Sequence, residues 1–233
     1  LLKKFYNINS SSISFFNFQI FIEKNRGFDK EIFDNILNSK TKNIILYGYW
    51  QSHKYFPIKL QSIIPNFQNI SFVNKNFKKI LNKIKYSNSV GVCIRVYEDV
   101  PGNENTFKVN QKIMGGIPDL NYYKKIISNL RDKLNVPNFF IFSSKNFSFF
   151  SDLQLSKDDY FINNDTGYKG TVDNLILMSN CKHLVISHSS YYWWASMLGN
   201  SYNQIANIYR PYNKKKDLNN IDYYPNEWVK LDY

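Results

Sequence analysis

The chain has 233 residues, with 30 Lys and Arg against 18 Asp and Glu, a formal charge of +12, a pI near 9.4 and 43% hydrophobic residues. It is long enough for one large domain or two small ones and apolar enough to bury a core. No apolar run is long enough to span a bilayer, and the basic residues are spread thinly, with only the short run Lys214-Lys215-Lys216, which argues against a dedicated nucleic-acid stripe. The positive balance suggests an anionic partner, such as a membrane surface or a phosphorylated substrate. Heavy use of Lys, Asn, Ile, Phe and Tyr with only 9 Gly also fits an AT-rich genome, which would explain the charge without any function.

In chain order, residues 10–22 alternate loosely and are read as one or two strands, and Asp29 to Leu37 has helical spacing at Ile32, Phe33, Ile36 and Leu37. Asn43 to Gly48 is read as a buried strand, followed by a loop of clustered aromatic and polar residues, Gly48-Tyr49-Trp50-Gln51-Ser52-His53-Lys54-Tyr55-Phe56. Such a loop is either surface packing or a binding element. Ile58 to Ile64 and Asn74 to Ile84 are read as helical, the second basic and amphipathic, as a solvated helix face would be. A domain boundary is placed near residue 87, giving domains 1–87 and 88–233.

From Ser89 onward, strands and helices alternate. Val90 to Val96 is a buried strand with Arg95 at its exit, followed by Glu98 and Asp99. Arg95 there is either a ligand cation at the carboxyl edge of a sheet or a salt-bridge partner of those acids. Pro101 to Met114 is a polar loop, Asp119 starts a helix reaching Leu134, and Asn138 to Ser144 is a strand. Phe147 opens a helix, and Tyr160 to Ile162 is a strand. Asp173 opens or caps a helix around Leu175, Leu184-Val185-Ile186 is a short buried strand, and Ser187-His188-Ser189-Ser190 is a turn into a helix from Tyr191 to Leu198 closed by Gly199. Asn203 to Tyr209 reads as a last strand. This β-α-β order implies a doubly wound parallel sheet. A strand entering a helix through serines offers free N–H groups and a helix dipole to an anion. No GxGxxG or P-loop is present, so a dinucleotide or P-loop nucleotide site is not indicated. His53, His183 and His188 lack metal-ligand spacing, and Cys93 and Cys181 read as buried thiols of a reducing compartment.

These motifs resemble a known family. Gly48 to Phe56 is similar to the "GYWQSxxYF" loop of the α-1,2-fucosyltransferases, glycosyltransferase family 11, and Asp173 to Leu198 is similar to that family's "EDLxLMSxCKHxIxxNSSFSWWxAxL" signature. The resemblance covers most of the chain. It implies an α/β, GT-B-like fold of two Rossmann-like domains, with the C-terminal one holding the nucleotide sugar. It further implies inverting transfer of L-fucose from GDP-L-fucose to a galactoside-type hydroxyl, with no cofactor and no metal. The partners it implies are a nucleotide-sugar donor and a glycan or lipid-linked oligosaccharide acceptor, with no nucleic acid, in surface-polysaccharide synthesis. The location it implies is the cytoplasm, with peripheral association at the inner membrane face. Arg95 falls where the family's "HxRRxD" motif does and is expected to clamp the donor diphosphate, with Ser189, Ser190 and Tyr191 as further donors and Asp173 on the ribose or guanine. Glu98, Asp99 and His53 are candidates by type for the catalytic base. Tyr49, Gln51, Ser52, His53 and Tyr55 form the expected acceptor-side loop.

The sequence departs from the family pattern in several places, the motif's acid falling on Glu98. The motif His is Cys93, and the second Arg is Val96. "NSSFSWW" is His188-Ser189-Ser190-Tyr191-Tyr192-Trp193-Trp194. The Gly-rich opening "GGLGNQxFQ" has no counterpart before Phe28, so the N-terminal domain is expected to be incomplete. A catalytically decayed relative that still binds nucleotide or glycan is the alternative reading.

Overall fold

A computed structural model describes residues 18–24, 27–41, 43–56, 75–95, 118–143, 147–162, 168–201, 205–212 and 222–232. These form two compact units. One contains residues 18–56 with 222–224, and the other contains 75–212 with 225–232.

The smaller unit pairs β1 (Gln19–Ile22) in parallel with β2 (Ile44–Tyr47), in a register running from Gln19↔Ile44 to Ile22↔Tyr47. Between them lies α1 (Lys30–Leu37). Its N-cap, Asp29, accepts a hydrogen bond from the Ile32 N–H at 2.9 Å, which satisfies one of the amides left free in a first turn. The strand at 44–47 was expected to be buried. It is exposed along its whole length, because a two-stranded sheet covers neither face of its own apolar residues.

The larger unit is a six-stranded, all-parallel sheet of order β5-β4-β3-β6-β7-β8. Its elements are α2 (Lys75–Tyr86), β3 (Asn88–Ile94), α3 (Leu120–Lys133), β4 (Pro137–Ser143), β5 (Tyr160–Ile162), α4 (Tyr168–Ser179), β6 (His183–Val185), α5 (Ser190–Ser201), β7 (Asn207–Tyr212) and β8 (Val229–Asp232). A 3-10 stretch, Phe147–Leu153, links β4 to β5. Successive residues of a strand point to opposite faces. Val90, Val92 and Ile94 of β3 and Phe139 and Ile141 of β4 therefore face α3, where they join Tyr122, Tyr123, Ile126, Ile127 and Leu130 in one core. The alternate residues face the other way, so that Cys93 lies against α4 with its Sγ 3.4 Å from Met178 Sδ. Helices α4 and α5 pack together on that side, and α2, ahead of residue 87, packs on β3 and α4. Both cysteines are buried free thiols.

This is the α/β class expected, with parallel strands in both units. Further details differ from expectation. Strand β8 was not foreseen, since its four residues alternate charged and apolar groups at the sheet edge. Helix α4 begins at Tyr168, before the expected start near Asp173, even though Gly170 and Thr171 are poor helix formers. Helix α5 continues through Gly199 to Ser201, so Gly199 is not a C-cap.

Gly199 has a packing role instead. A Cβ there would lie 2.6 Å from the Ser179 carbonyl oxygen and 2.4 Å from Ile205 Cδ1. Only a residue without a side chain lets α5 approach the end of α4 this closely. Gly199→Ala is expected to destabilise the larger unit by about 1–3 kcal/mol in denaturant unfolding, despite the better helix propensity of Ala. An unchanged unfolding midpoint would contradict this packing.

Candidate active site in the larger unit

At the carboxyl edge of the parallel sheet, β3 and β6 run into polar side chains. Because β3 pairs directly with β6, from Val90↔His183 to Val92↔Val185, their exits are neighbours. Arg95, half-buried, leaves β3 beside the turn Ile186 to Ser189 that leaves β6. Within that turn Ser187 and His188 are buried, Ser189 is half-buried and Ser190 is exposed. The Ser189 carbonyl accepts the Trp193 N–H at 2.9 Å, the first hydrogen bond of α5. Ser189 thus stands at the N-cap position, and the amides of the helix's first turn have no partner within the helix. A basic side chain and a helix N-terminus lie at adjacent strand exits, an arrangement suited to an anion.

Beneath this surface lies a layer of buried hydroxyls. Tyr192 donates a hydrogen bond to the Ile94 carbonyl oxygen at 3.0 Å. Tyr123, on α3, lies near Ser187 and Tyr192, and burial pushes its phenol well above its ordinary pKa, the tyrosine neighbours adding to the shift. The Ser187 hydroxyl is close enough to oppose that shift slightly, yet neither it nor the Tyr123 hydroxyl makes a well-aligned hydrogen bond. Tyr191 donates to the Thr171 carbonyl of α4. Its phenol is also pushed up, first by burial, then by Cys93 and the Asp173 carboxylate. Of these hydroxyls, those of Tyr192 and Tyr191 act as donors to backbone carbonyls.

The structure brings Asp173 to the same layer as Tyr191. Asp173 is 1% exposed and lies inside α4, so the reading of it as an N-cap does not hold. Trp193 is buried in the packing of α5. Burial, and secondarily Lys182, lowers the pKa of His183, whose Nδ1 lies 3.1 Å from Asn207 Nδ2. Glu98 and Asp99 lie outside the described residues. Tyr192, Tyr123 and Ser187 were not singled out from the sequence. An aromatic helix and a strand end give no signal beyond packing, and their contacts depend on the pairing of β3 with β6.

In the smaller unit, the loop after β2 is held by Glu23, whose Oε2 accepts the N–H groups of Tyr49 at 2.7 Å and Trp50 at 3.2 Å. Gly48 permits this turn, with φ +152° and a Cβ position only 2.4 Å from Glu23 Cβ. Of the expected acceptor-side residues, Ser52 is fully buried and caps the turn His53–Tyr55 by accepting from the Lys54 N–H. Tyr55 is spent within the unit as well. It donates to the Gly27 carbonyl and accepts from the Asp29 N–H, among the rings of Phe28, Phe33 and Trp50. Gln51 and His53 are half-buried, and the His53 N–H binds the Asp222 carbonyl. Tyr49, at 66% exposure, is the residue of this set that faces solvent.

Among the described residues, no group of three or more His, Cys, Asp or Glu could hold a metal ion, and no helix is long and apolar enough to cross a membrane.

A parallel α/β unit with polar groups at its carboxyl edge is the architecture in which open sheets bind ligands. The glycosyl transferase family 11 model matches residues 1–232, and the chain belongs to that family. It is 29% identical over 214 residues to the α-1,2-colitosyltransferase of Escherichia coli, an alignment covering 88% of this chain and 69% of that one. It is 24% identical over 186 residues to the O-antigen biosynthesis glycosyltransferase WbnK of Escherichia coli, covering 78% of this chain and 60% of that protein. Among solved structures, the fucosyltransferase NodZ from Bradyrhizobium superposes with a TM-score of 0.46 at 12% identity, over 92% of this chain and 65% of that chain.

Proposed function

We propose that this family 11 glycosyltransferase transfers L-fucose from GDP-L-fucose, with inversion and without a metal, to a galactoside-type hydroxyl of a surface glycan or lipid-linked oligosaccharide. The observation that supports this most is the pairing of β3 with β6, which sets Arg95 beside the start of α5. A departing GDP carries its charge on the diphosphate. Without a metal, arginine and preorganised N–H donors are what can stabilise it. Arg95 clamps the diphosphate, while Ser189, Ser190 and the Tyr191 N–H donate to its oxygens. Asp173, in the layer below, acts on the ribose or guanine side. Glu98 and Asp99, which follow Arg95, are the candidate bases along with His53. Tyr49, Gln51 and His53 of the smaller unit contribute to the acceptor side. The enzyme works in the cytoplasm, peripherally at the inner membrane face, where lipid-linked acceptors are assembled.

Two observations favour second readings. The similarity to a colitosyltransferase favours colitosyl rather than fucosyl transfer from the same kind of donor. Val96 in place of a second arginine favours a decayed relative that binds nucleotide without turnover. Incubating the purified chain with GDP-fucose or GDP-colitose and a β-galactoside, and measuring GDP release, separates them. Acceptor-dependent release from GDP-fucose is the expected result, release from GDP-colitose alone reassigns the sugar, and GDP binding without release from either donor supports the decayed relative.

A further inference from the structure

The ladder between β3 and β6 ends at Val92↔Val185, whereas that between β3 and β4 runs on to Ile94↔Ser143. The last residues of β3 are thus paired on one side only. On the β6 side the next contact comes from a helix. Tyr192 is the third residue of α5, and side chains in a first turn lean back past the helix start. Its hydroxyl reaches the Ile94 carbonyl oxygen at 3.0 Å, in a bond that is buried at both ends, with Tyr192 6% and Ile94 2% exposed. Ile94 is the residue immediately before Arg95. One hydrogen bond therefore ties the start of α5 to the backbone that carries Arg95, across the point where the strand ladder stops. The family pattern has Ser at this position, too short to span the same gap from a helix.

We propose that Tyr192 is a positioning residue, holding Arg95 in register with the N-terminus of α5 so that both meet one diphosphate. The inference rests on the diphosphate reading given above. It requires nothing of Tyr192 toward the ligand itself, because its hydroxyl is already committed to Ile94. Its effect on binding therefore passes through the register between Arg95 and the start of α5. Tyr192→Phe keeps the ring and removes the hydroxyl that makes the tether.

The test is GDP binding to the full chain by ligand-observed NMR, in a double-mutant cycle with Arg95→Ala. Tyr192→Phe is expected to weaken GDP about five- to tenfold in the wild-type background and less than about twofold in the Arg95→Ala background. Undiminished affinity in Tyr192→Phe, or an equal loss in both backgrounds, overturns the proposal. Native-state amide exchange supplies a second readout that needs no ligand. The Arg95 amide should exchange faster in Tyr192→Phe, while those of Val90 and Val92 keep their protection. If the wild-type chain binds no GDP, the diphosphate reading fails and exchange alone decides, with an unchanged rate at Arg95 overturning the tether.

Discussion

Arg95→Ala is expected to weaken GDP binding about 10- to 150-fold, the equivalent of the about 1.5–3 kcal/mol that a hydrogen bond to a charged group contributes. Turnover should fall at least as far, because charge develops on the diphosphate as the sugar leaves and an interaction that strengthens there acts on kcat as well as on affinity. With Val96 in the position of a second arginine, no neighbouring guanidinium at 96 stands in for the lost one. Arg95→Lys should recover only part of the loss, since an ammonium supplies charge without the planar fork that grips two phosphate oxygens. Calorimetric titration with GDP and a donor-turnover assay on the same variants check both statements. Equal affinity and turnover in Arg95→Ala would remove Arg95 from the site.

The second large effect is on stability and lies away from the site. Asp159, whose side chain is fully buried, is the acceptor at the junction of α3, β4 and β5. Its Oδ1 takes the Phe139 N–H at 2.9 Å, and its Oδ2 takes the Ser156 N–H at 2.7 Å and the Arg131 guanidinium, which also lies over the Phe139 ring. Asp159→Ala removes all three bonds. Arg131 keeps 30% of its side chain in water and can turn outward, so its share is small. The Ser156 amide lies on an exposed residue and can turn to water, but Phe139 is fully buried, and an unsatisfied buried donor costs about 1–3 kcal/mol. A loss of about 1–3 kcal/mol follows, large against a total stability of about 5–15 kcal/mol. Asp159→Asn, which retains one acceptor oxygen, should fall between. Urea unfolding of the three proteins measures this, and wild-type stability in Asp159→Ala would show that the cluster contributes nothing net.

The legible part of the fold was its buried parallel strands. Val90 to Ile94, Phe139 to Phe142 and Leu184 to Ile186 are unbroken apolar runs because both faces of a parallel sheet are covered. Helix limits were less legible where packing outweighs propensity. Gly170 lies within α4, and Gly199 lies within α5 because the end of α4 needs the space. Strand β2 reads as apolar and yet is exposed, since sequence shows the character of a strand but not how many neighbours cover it. Strand β8 is short, charged and at an edge, so it carries almost no periodic signal.

At the site, Arg95 and the serines were visible as polar residues at strand exits. Whether they could act together depended on β3 and β6 being neighbours, a long-range pairing that no local pattern encodes. For the same reason the link through Tyr192 could not be seen, with 98 residues separating hydroxyl and carbonyl. Ser52 and Tyr55 illustrate the converse. A motif marks them together with Tyr49, and only their hydrogen bonds show that they serve the loop's own architecture.

The most direct test of the central claim, that the exits of β3 and β6 hold the donor's diphosphate, is amide hydrogen exchange of the full chain with and without GDP. The account predicts added protection at Arg95 and at the amides of Ser189 to Tyr192, reduced in Arg95→Ala. No change at these amides under saturating GDP, or protection confined to other parts of the chain, would contradict it.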